Sequence, residues 1–308
     1  MNLHGIHHVT AITANASANH DFYTRVLGMR LVKKTVNQDD VSAYHIFYAD
    51  GAGTPGTDLT FFDWPAAPER RGTRSVIRTG LRVGRPASLE WWKQRLGTQA
   101  PIVERDGKNV LDFEDPEGQR LSLVADDEPS AAGWERSPVP AEHQIRGLGP
   151  LHLGVPAFEP TDRVFRGLLN LRHARTFTMN DREAHVYQIG DRPGAAREIH
   201  LFVEPDVSAA GQGAGGVHHL ALRTTLADYD KWARRLAESG LPNSGPVDRF
   251  WFRSLYFREP GGILIEIATD EPGFASDEPM DKLGETLSLP PFLEPRRRAI
   301  EAGLEPLA

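Results

Sequence analysis

A repeat dominates this sequence. Short apolar runs of strand character begin near Ile6, Val76, Leu151 and Val217, spaced by about 70 residues, and each opens a similar unit. In every unit a strand leads into an amphipathic helix and further strand-like runs follow, the last one after a turn. One such unit cannot cover its own apolar face. Two units side by side make an eight-strand cup with helices outside and room inside for one small ligand. The predicted fold is therefore α+β: four βαβββ modules paired into two half-open eight-strand cups.

In module one (about 5–63) the spacing predicts a strand over 6–12 and a helix over 19–27. Phe22, Tyr23, Val26 and Leu27 recur at helical spacing there, and Gly28 is the stop. Strands follow over 31–36, 43–49 and 59–62. Module two (about 76–125) has strands over 77–83, 110–114 and 121–124 and a helix over 89–96. Its last two strands are joined by the turn Asp115-Pro116-Glu117-Gly118. Module three (about 150–204) has strands over 151–155, 174–178, 184–189 and 199–203 and a helix over 161–169. Module four (about 216–270) has strands over 217–223, 253–257 and 263–268 and a helix over 229–238, ended by Gly240. A polar linker over 126–149, with Pro129, Pro138 and Pro140, separates an N-terminal domain (1–125) from a C-terminal domain (150–285). The tail, 286–308, carries a short basic helix over 294–302.

Composition narrows the chemistry. At 308 residues and 40% hydrophobic, the chain can bury a substantial core. The net charge is -7 and no long basic run is present, which argues against a nucleic-acid partner. The absence of cysteine excludes disulfides, thiol nucleophiles, Cys-zinc sites and iron–sulfur clusters. Any metal must sit on His, carboxylate or water. No secretory signal pattern opens the chain, and no apolar run approaches the ~18 residues of a membrane span. A cytoplasmic location without a membrane partner is the expectation.

Two histidine doublets open first strands: His7-His8 in module one and His218-His219 in module four. A carboxylate, Glu266, interrupts the apolar run Ile263-Leu264-Ile265-Glu266-Ile267. Such an acid is costly to bury unless it is paired or binds a metal. Side chains alternate along a strand. His8 therefore shares a face with Ile6, Thr10 and Ile12, and His7 with Val9 and Ala11. His219 shares a face with Ala221, away from Leu220 and Leu222. One histidine of each doublet and Glu266 can point into one cup. Two imidazoles and a carboxylate are the facial set of non-haem Fe(II) sites, and Mn(II) could fill it too. The competing readings are a strand histidine satisfied by ordinary hydrogen bonds and a Glu266 paired with Arg253 or Arg258. The recurring doublet favours the metal. His152, in the first strand of module three, is the other source of the first ligand. One metal cannot be shared between cups, so His8 as ligand requires module one to pair with module four, and two with three.

The segments Phe22-Tyr23, Val26-Leu27-Gly28-Met29 and Pro260-Gly261-Gly262, with the repeat that carries them, resemble the vicinal oxygen chelate superfamily over nearly the whole chain. That superfamily includes glyoxalase I, extradiol dioxygenases and resistance proteins. The His7-His8 opening, Gly53-Thr54-Pro55-Gly56-Thr57, Ser88-Leu89-Glu90-Trp91-Trp92, His218-His219 and the segment from Tyr256 through Arg258 to Glu266 are similar to the hydroquinone-type ring-cleaving dioxygenases. The resemblance implies His8, His219 and Glu266 as ligands of Fe(II), or of Mn(II). It places further catalytic residues at His7, Thr10, His218, Arg249 and Tyr256. It implies an oxidoreductase that cleaves a hydroquinone- or catechol-type ring and incorporates both atoms of O2. The implied partners are a small aromatic substrate, O2 and, for a homo-oligomer, a second copy of the chain. His7 or His218 would move protons; Tyr256 and Arg249 would steady the substrate. Two other functions use the same fold, a glyoxalase-like isomerase or lyase and a non-catalytic binder of an aromatic or drug. Glyoxalase-type sites usually add a carboxylate from the first module. Aligning Gly56-Thr57-Asp58-Leu59-Thr60 on Gly262-Ile263-Leu264-Ile265-Glu266 puts Thr60 where Glu266 stands, so that fourth ligand is missing. His20, His45, His173, His185 and His200 are expected to be mostly structural or exposed.

Overall fold

The computed structural model describes residues 1–128 and 132–307; Pro129 of the linker and Ala308 of the tail lie outside the described residues. The opening run of each module carries apolar residues on both faces, which suits a strand covered on both sides. These runs form β1 (Ile6–Thr13), β5 (Ser75–Val83), β9 (Leu148–Val155) and β13 (Val217–Thr224). Each leads into a helix: α1 (Ala16–Asp21), α2 (Pro86–Leu96), α3 (Phe158–Arg163) and α4 (Leu226–Glu238). In modules one and three the helix widens into a final π turn. The Leu27 N–H donates to the Phe22 carbonyl (2.9 Å) and the Leu169 N–H to that of Val164 (3.0 Å). The same irregularity in both modules marks them as copies of one design.

Gly28 then reverses the chain at φ 71°. A Cβ there would stand 2.5 Å from Ser137 Oγ and Val139 Cγ2, so both backbone and space demand glycine. Gly28→Ala is expected to cost at least about 1–2 kcal/mol from the left-handed backbone alone. Urea unfolding should show a lowered midpoint with an unchanged slope.

The remaining strands are β2 (Arg30–Val36), β3 (Tyr44–Ala49) and β4 (Asp58–Asp63) in module one. Module two adds β6 (Ile102–Arg105), β7 (Lys108–Glu114) and β8 (Arg120–Ala125). Module three adds β10 (Arg172–Met179), β11 (Arg182–Gln188) and β12 (Glu198–Val203). Module four adds β14 (Val247–Asp248), β15 (Phe252–Arg258) and β16 (Leu264–Pro272). β6 and β14 are absent from the sequence reading. Both are edge strands, and both carry little apolar signal. The tail helix, predicted over 294–302, starts as a 3-10 turn and becomes α5 (Arg297–Gly303).

Two eight-stranded sheets result. One runs β14-β15-β16-β13-β1-β4-β3-β2, the other β10-β11-β12-β9-β5-β8-β7-β6. Within a module the first strand pairs parallel to the last, as β1 with β4 and β13 with β16. Between modules the first strands pair antiparallel, β1 with β13 and β5 with β9. Module one thus shares a cup with module four, and module two with module three. The linker divides the sequence and not the sheets. This is the pairing that His8 as a ligand requires. Among the described residues no helix is long and apolar enough to cross a membrane.

The floor of the first cup is closed by the segment after β16. Phe274 and Leu283 pack there with Val32, Phe47, Trp251 and Phe252. Lys33, fully buried, hydrogen-bonds from Nζ to the Phe274 carbonyl (3.1 Å), to Asp277 Oδ1 (2.9 Å) and to Glu278.

Candidate metal centre

Three adjacent strands, β16, β13 and β1, bring Glu266, His219 and His8 to one point inside the first cup. His219 Nε2 lies 2.9 Å from Glu266 Oε2, His8 Nε2 lies 3.1 Å from the same oxygen, and the two nitrogens are 3.4 Å apart. Ligands sharing one face of an octahedral ion with bonds of about 2.1 Å sit about 3 Å apart. All three side chains are buried. Glu266 Oε1 accepts a hydrogen bond from Ser254 Oγ (2.5 Å), whereas Oε2 has no well-directed donor. A buried carboxylate oxygen left so is expensive, and a cation among the three atoms would satisfy it. Neither Arg253 nor Arg258 pairs with Glu266; both are exposed. The donor set therefore fits a divalent metal. Burial alone would raise the Glu266 pKa, but His8 and His219 hold it well below the usual carboxylate range, so both its oxygens are available as acceptors.

The other member of each doublet stands behind the candidate ligand. His7 Nδ1 is 2.9 Å from His8 Nδ1, and His218 Nδ1 is 2.8 Å from His219 Nδ1. His7 Nε2 donates to the Thr269 carbonyl (3.2 Å). Burial lowers the pKa of both His7 and His218 to about 3, so both are neutral at neutral pH. With its Nε2 proton committed to a carbonyl, neutral His7 can only accept at Nδ1. His8 then donates from Nδ1, which orients its Nε2 lone pair toward the centre.

The expected residues divide by position. An open cleft over the triad is lined by His8, His219, Arg249, Tyr256 and the aromatic rings of Phe47, Phe62, Trp251 and Phe252. Arg249 forks onto Asp39 (2.8 and 3.2 Å) and donates from Nε to Tyr256 Oη (3.4 Å). Burial and the nearby Glu266 charge raise the Tyr256 pKa, keeping it a phenol that can donate. Thr10 is turned aside: its Oγ1 lies 2.8 Å from Thr60 Oγ1. His218 borders a second, more polar cleft with Arg74 and Arg258. His7 is walled in.

Register explains Thr60. Ala221, two residues past His219, pairs with Glu266, and Thr10, two past His8, pairs with Thr60. Thr60 is thus the pseudo-twofold counterpart of Glu266, and its hydroxyl is engaged by Thr10 and by His45 Nε2 (2.9 Å). His45 is the residue the sequence reading passed over. It is mostly buried, lines the cleft and packs on Phe47 (ring centroids 4.0 Å). The alternation His45, Phe47, Ala49 along β3 was the available signal. His152 belongs to the other sheet, where it stacks on His200 (5.1 Å), and it cannot join this triad.

Comparison with known proteins agrees with the geometry. The family model of the glyoxalase/bleomycin resistance protein/dioxygenase superfamily matches residues 5–123 and 75–267. MhqA of Bacillus subtilis (strain 168), provisionally named a ring-cleaving dioxygenase, is 45% identical over 317 residues, covering 100% of both chains. Chlorohydroquinone/hydroquinone 1,2-dioxygenase of Sphingobium indicum is 31% identical over 307 residues, covering 94% of this chain and 92% of that one. A crystal structure of a provisionally assigned dioxygenase from Bacillus subtilis superposes with a TM-score of 0.91 at 36% identity, covering 100% of this chain and 98% of that one. With the repeat, the paired cups and these matches together, the chain belongs to the glyoxalase/bleomycin resistance protein/dioxygenase superfamily, whose fold is the vicinal oxygen chelate fold.

Proposed function

We propose that the protein is a metal-dependent ring-cleaving dioxygenase acting on a hydroquinone-type aromatic, with His8, His219 and Glu266 holding Fe(II) or Mn(II). The observation that carries this reading is Thr60. A fourth carboxylate would close the site, but its counterpart here is a hydroxyl already bonded to Thr10 and His45. Three ligands on one face leave positions for a substrate oxygen and for O2, which an isomerase does not need. The aromatic-walled cleft and the activities for which the relatives are named point the same way. When bound, the metal would lower the pKa of a substrate hydroxyl and bring the ring and O2 together.

The chain's own residues do the rest. Tyr256, held protonated, donates a hydrogen bond to a substrate oxygen at the triad. Arg249, pinned by Asp39, fixes the Tyr256 hydroxyl and adds positive charge beside it. Phe47, Phe62 and Phe252 sandwich the ring and exclude water. His7 is tied to a carbonyl and positions His8. His218, at the wall of the polar cleft, is the one placed to pass a proton toward solvent. The test is oxygen consumption by Fe(II)-loaded protein with a panel of quinols and catechols. Uptake should match ring loss one to one and cease when a chelator strips the metal. Turnover of an α-keto hemithioacetal without O2 uptake would overturn the reading.

A further inference from the structure

The strand order places Glu266, His219 and His8 on three neighbouring strands, and Thr60, His45 and Thr35 on the next three, β4, β3 and β2. Each step along the sheet is about 4.8 Å, and the curl of the cup brings the segment after β2 onto the turn between β14 and β15, where Gln38 Nε2 donates to the Arg249 carbonyl (2.9 Å). Thr35 and His45 are cross-strand neighbours and both line the cleft. Thr35 is 1% exposed, yet its Oγ1 has no hydrogen-bond partner among the described residues. A buried hydroxyl without a partner calls for an explanation. Each nearby polar side chain already uses one of its polar atoms elsewhere. Asn37 Oδ1 accepts from the Asp39 N–H (2.9 Å), Gln38 Nε2 donates to the Arg249 carbonyl (2.9 Å), and His45 Nε2 meets Thr60. The rest of that wall is Val36, Phe47 and Phe62.

We infer that Thr35 Oγ1 binds the distal hydroxyl of a 1,4-dihydroxy ring whose other oxygen lies at the His8–His219–Glu266 triad, which makes Thr35 a specificity-determining residue. The inference rests on the function proposed above. The two oxygens of a 1,4-dihydroxy ring point in opposite directions along one axis. With one oxygen at the triad, the other is carried away from it toward the rest of the cleft lining, which includes Thr35. The oxygens of a 1,2-dihydroxy ring share one edge, so both face the triad and Thr35 faces a C–H. A site built to hydrogen-bond a hydroxyl discriminates strongly against a ligand that lacks it, because its own buried group is then left unpaired.

The experiment compares wild type, T35V and T35S. Valine keeps the shape and suits a strand; serine keeps the hydroxyl. In metal-loaded protein, the ratio of kcat/KM for hydroquinone to that for catechol should fall about tenfold in T35V and be restored in T35S. T35A repeats the measurement if T35V is poorly soluble. Calorimetric binding of hydroquinone and of phenol supplies a readout apart from turnover: wild type should prefer hydroquinone, and T35V should lose that preference. An unchanged ratio together with an unchanged binding preference in T35V overturns the inference. A wild type that binds both rings but consumes no O2 overturns the dioxygenase reading instead, and the binding comparison still decides the role of Thr35.

Discussion

His8→Ala is expected to lose bound metal and O2 uptake together, while His152→Ala keeps both. Under the proposed function three donors hold the ion and none is spare among the described residues: the counterpart of Glu266 is Thr60, whose hydroxyl is bonded to Thr10 and His45. Removing one imidazole leaves Glu266 and His219 with a shared buried charge and a gap on the ring's side. Loss of an outer hydrogen-bond partner commonly costs 10–100-fold in metal affinity, so loss of a ligand should exceed about 100-fold. Metal content per chain, measured after dialysis against a weak chelator, checks it. His152 sits one sheet away, against His200 and Phe202, and has no route to the ion. Loss of metal in His152→Ala but not in His8→Ala would mean that the centre lies in the second cup. His7→Ala should fall between the two: it leaves all three donors but frees the His8 ring to rotate, so weakened affinity with intact stoichiometry is the signature of orientation.

That contrast also shows what could be read from the residues alone. The modules were legible because each repeats a buried first strand, a helix and a turn before its last strand. The triad was legible because alternation lets only one histidine of each doublet face the cup. The pairing of modules was not written locally anywhere. It followed only through the condition that one ion cannot be split between cups, and the β1–β13 register meets that condition. Thr60 could be found by laying one module on another. Less visible were the groups that shape the cleft without binding metal. His45 and Thr35 are unremarkable strand residues in sequence, and their meaning comes from a curl that brings β2 and β3 to the same cleft as the triad. The edge strands Ile102–Arg105 and Val247–Asp248 are too short and too polar to show a period. The segment over 273–289 is irregular, so no periodicity announces that it seals a cup.

The seal yields the second large effect. Lys33→Ala should destabilise the protein by about 3–5 kcal/mol at neutral pH. Lys33 is fully buried beneath the cleft, with its Nζ shared among the Phe274 carbonyl, Asp277 and Glu278. Asp277 also accepts from Trp251 Nε1 (2.9 Å) and from Ser288 Oγ, so the lysine anchors a polar knot beneath an aromatic that lines the cleft. Removing the cation leaves the buried Glu278 and the part-buried Asp277 carboxylates facing each other, a cost comparable to a large part of the roughly 5–15 kcal/mol that holds a typical domain. The charge origin has a signature in pH. Burial by itself would raise the Asp277 pKa, but Ser288, Lys33 and Trp251 hold it below the ordinary carboxylate value. A group depressed in the folded state contributes stability above its unfolded pKa and loses that contribution as pH falls through the folded value. Without Lys33 the Asp277 carboxyl should take up a proton at higher pH, which relieves the repulsion between the two acids. The gap in urea-unfolding free energy between wild type and variant should therefore be widest near pH 7 and shrink near pH 4. Lys33→Met, which restores volume without charge, should show the same narrowing. A gap independent of pH in both variants would mean that lost packing, not the unpaired acids, sets the cost. In either variant a loosened Trp251 should raise KM for an aromatic substrate more than it lowers kcat, because the triad itself, on β16, β13 and β1, is untouched.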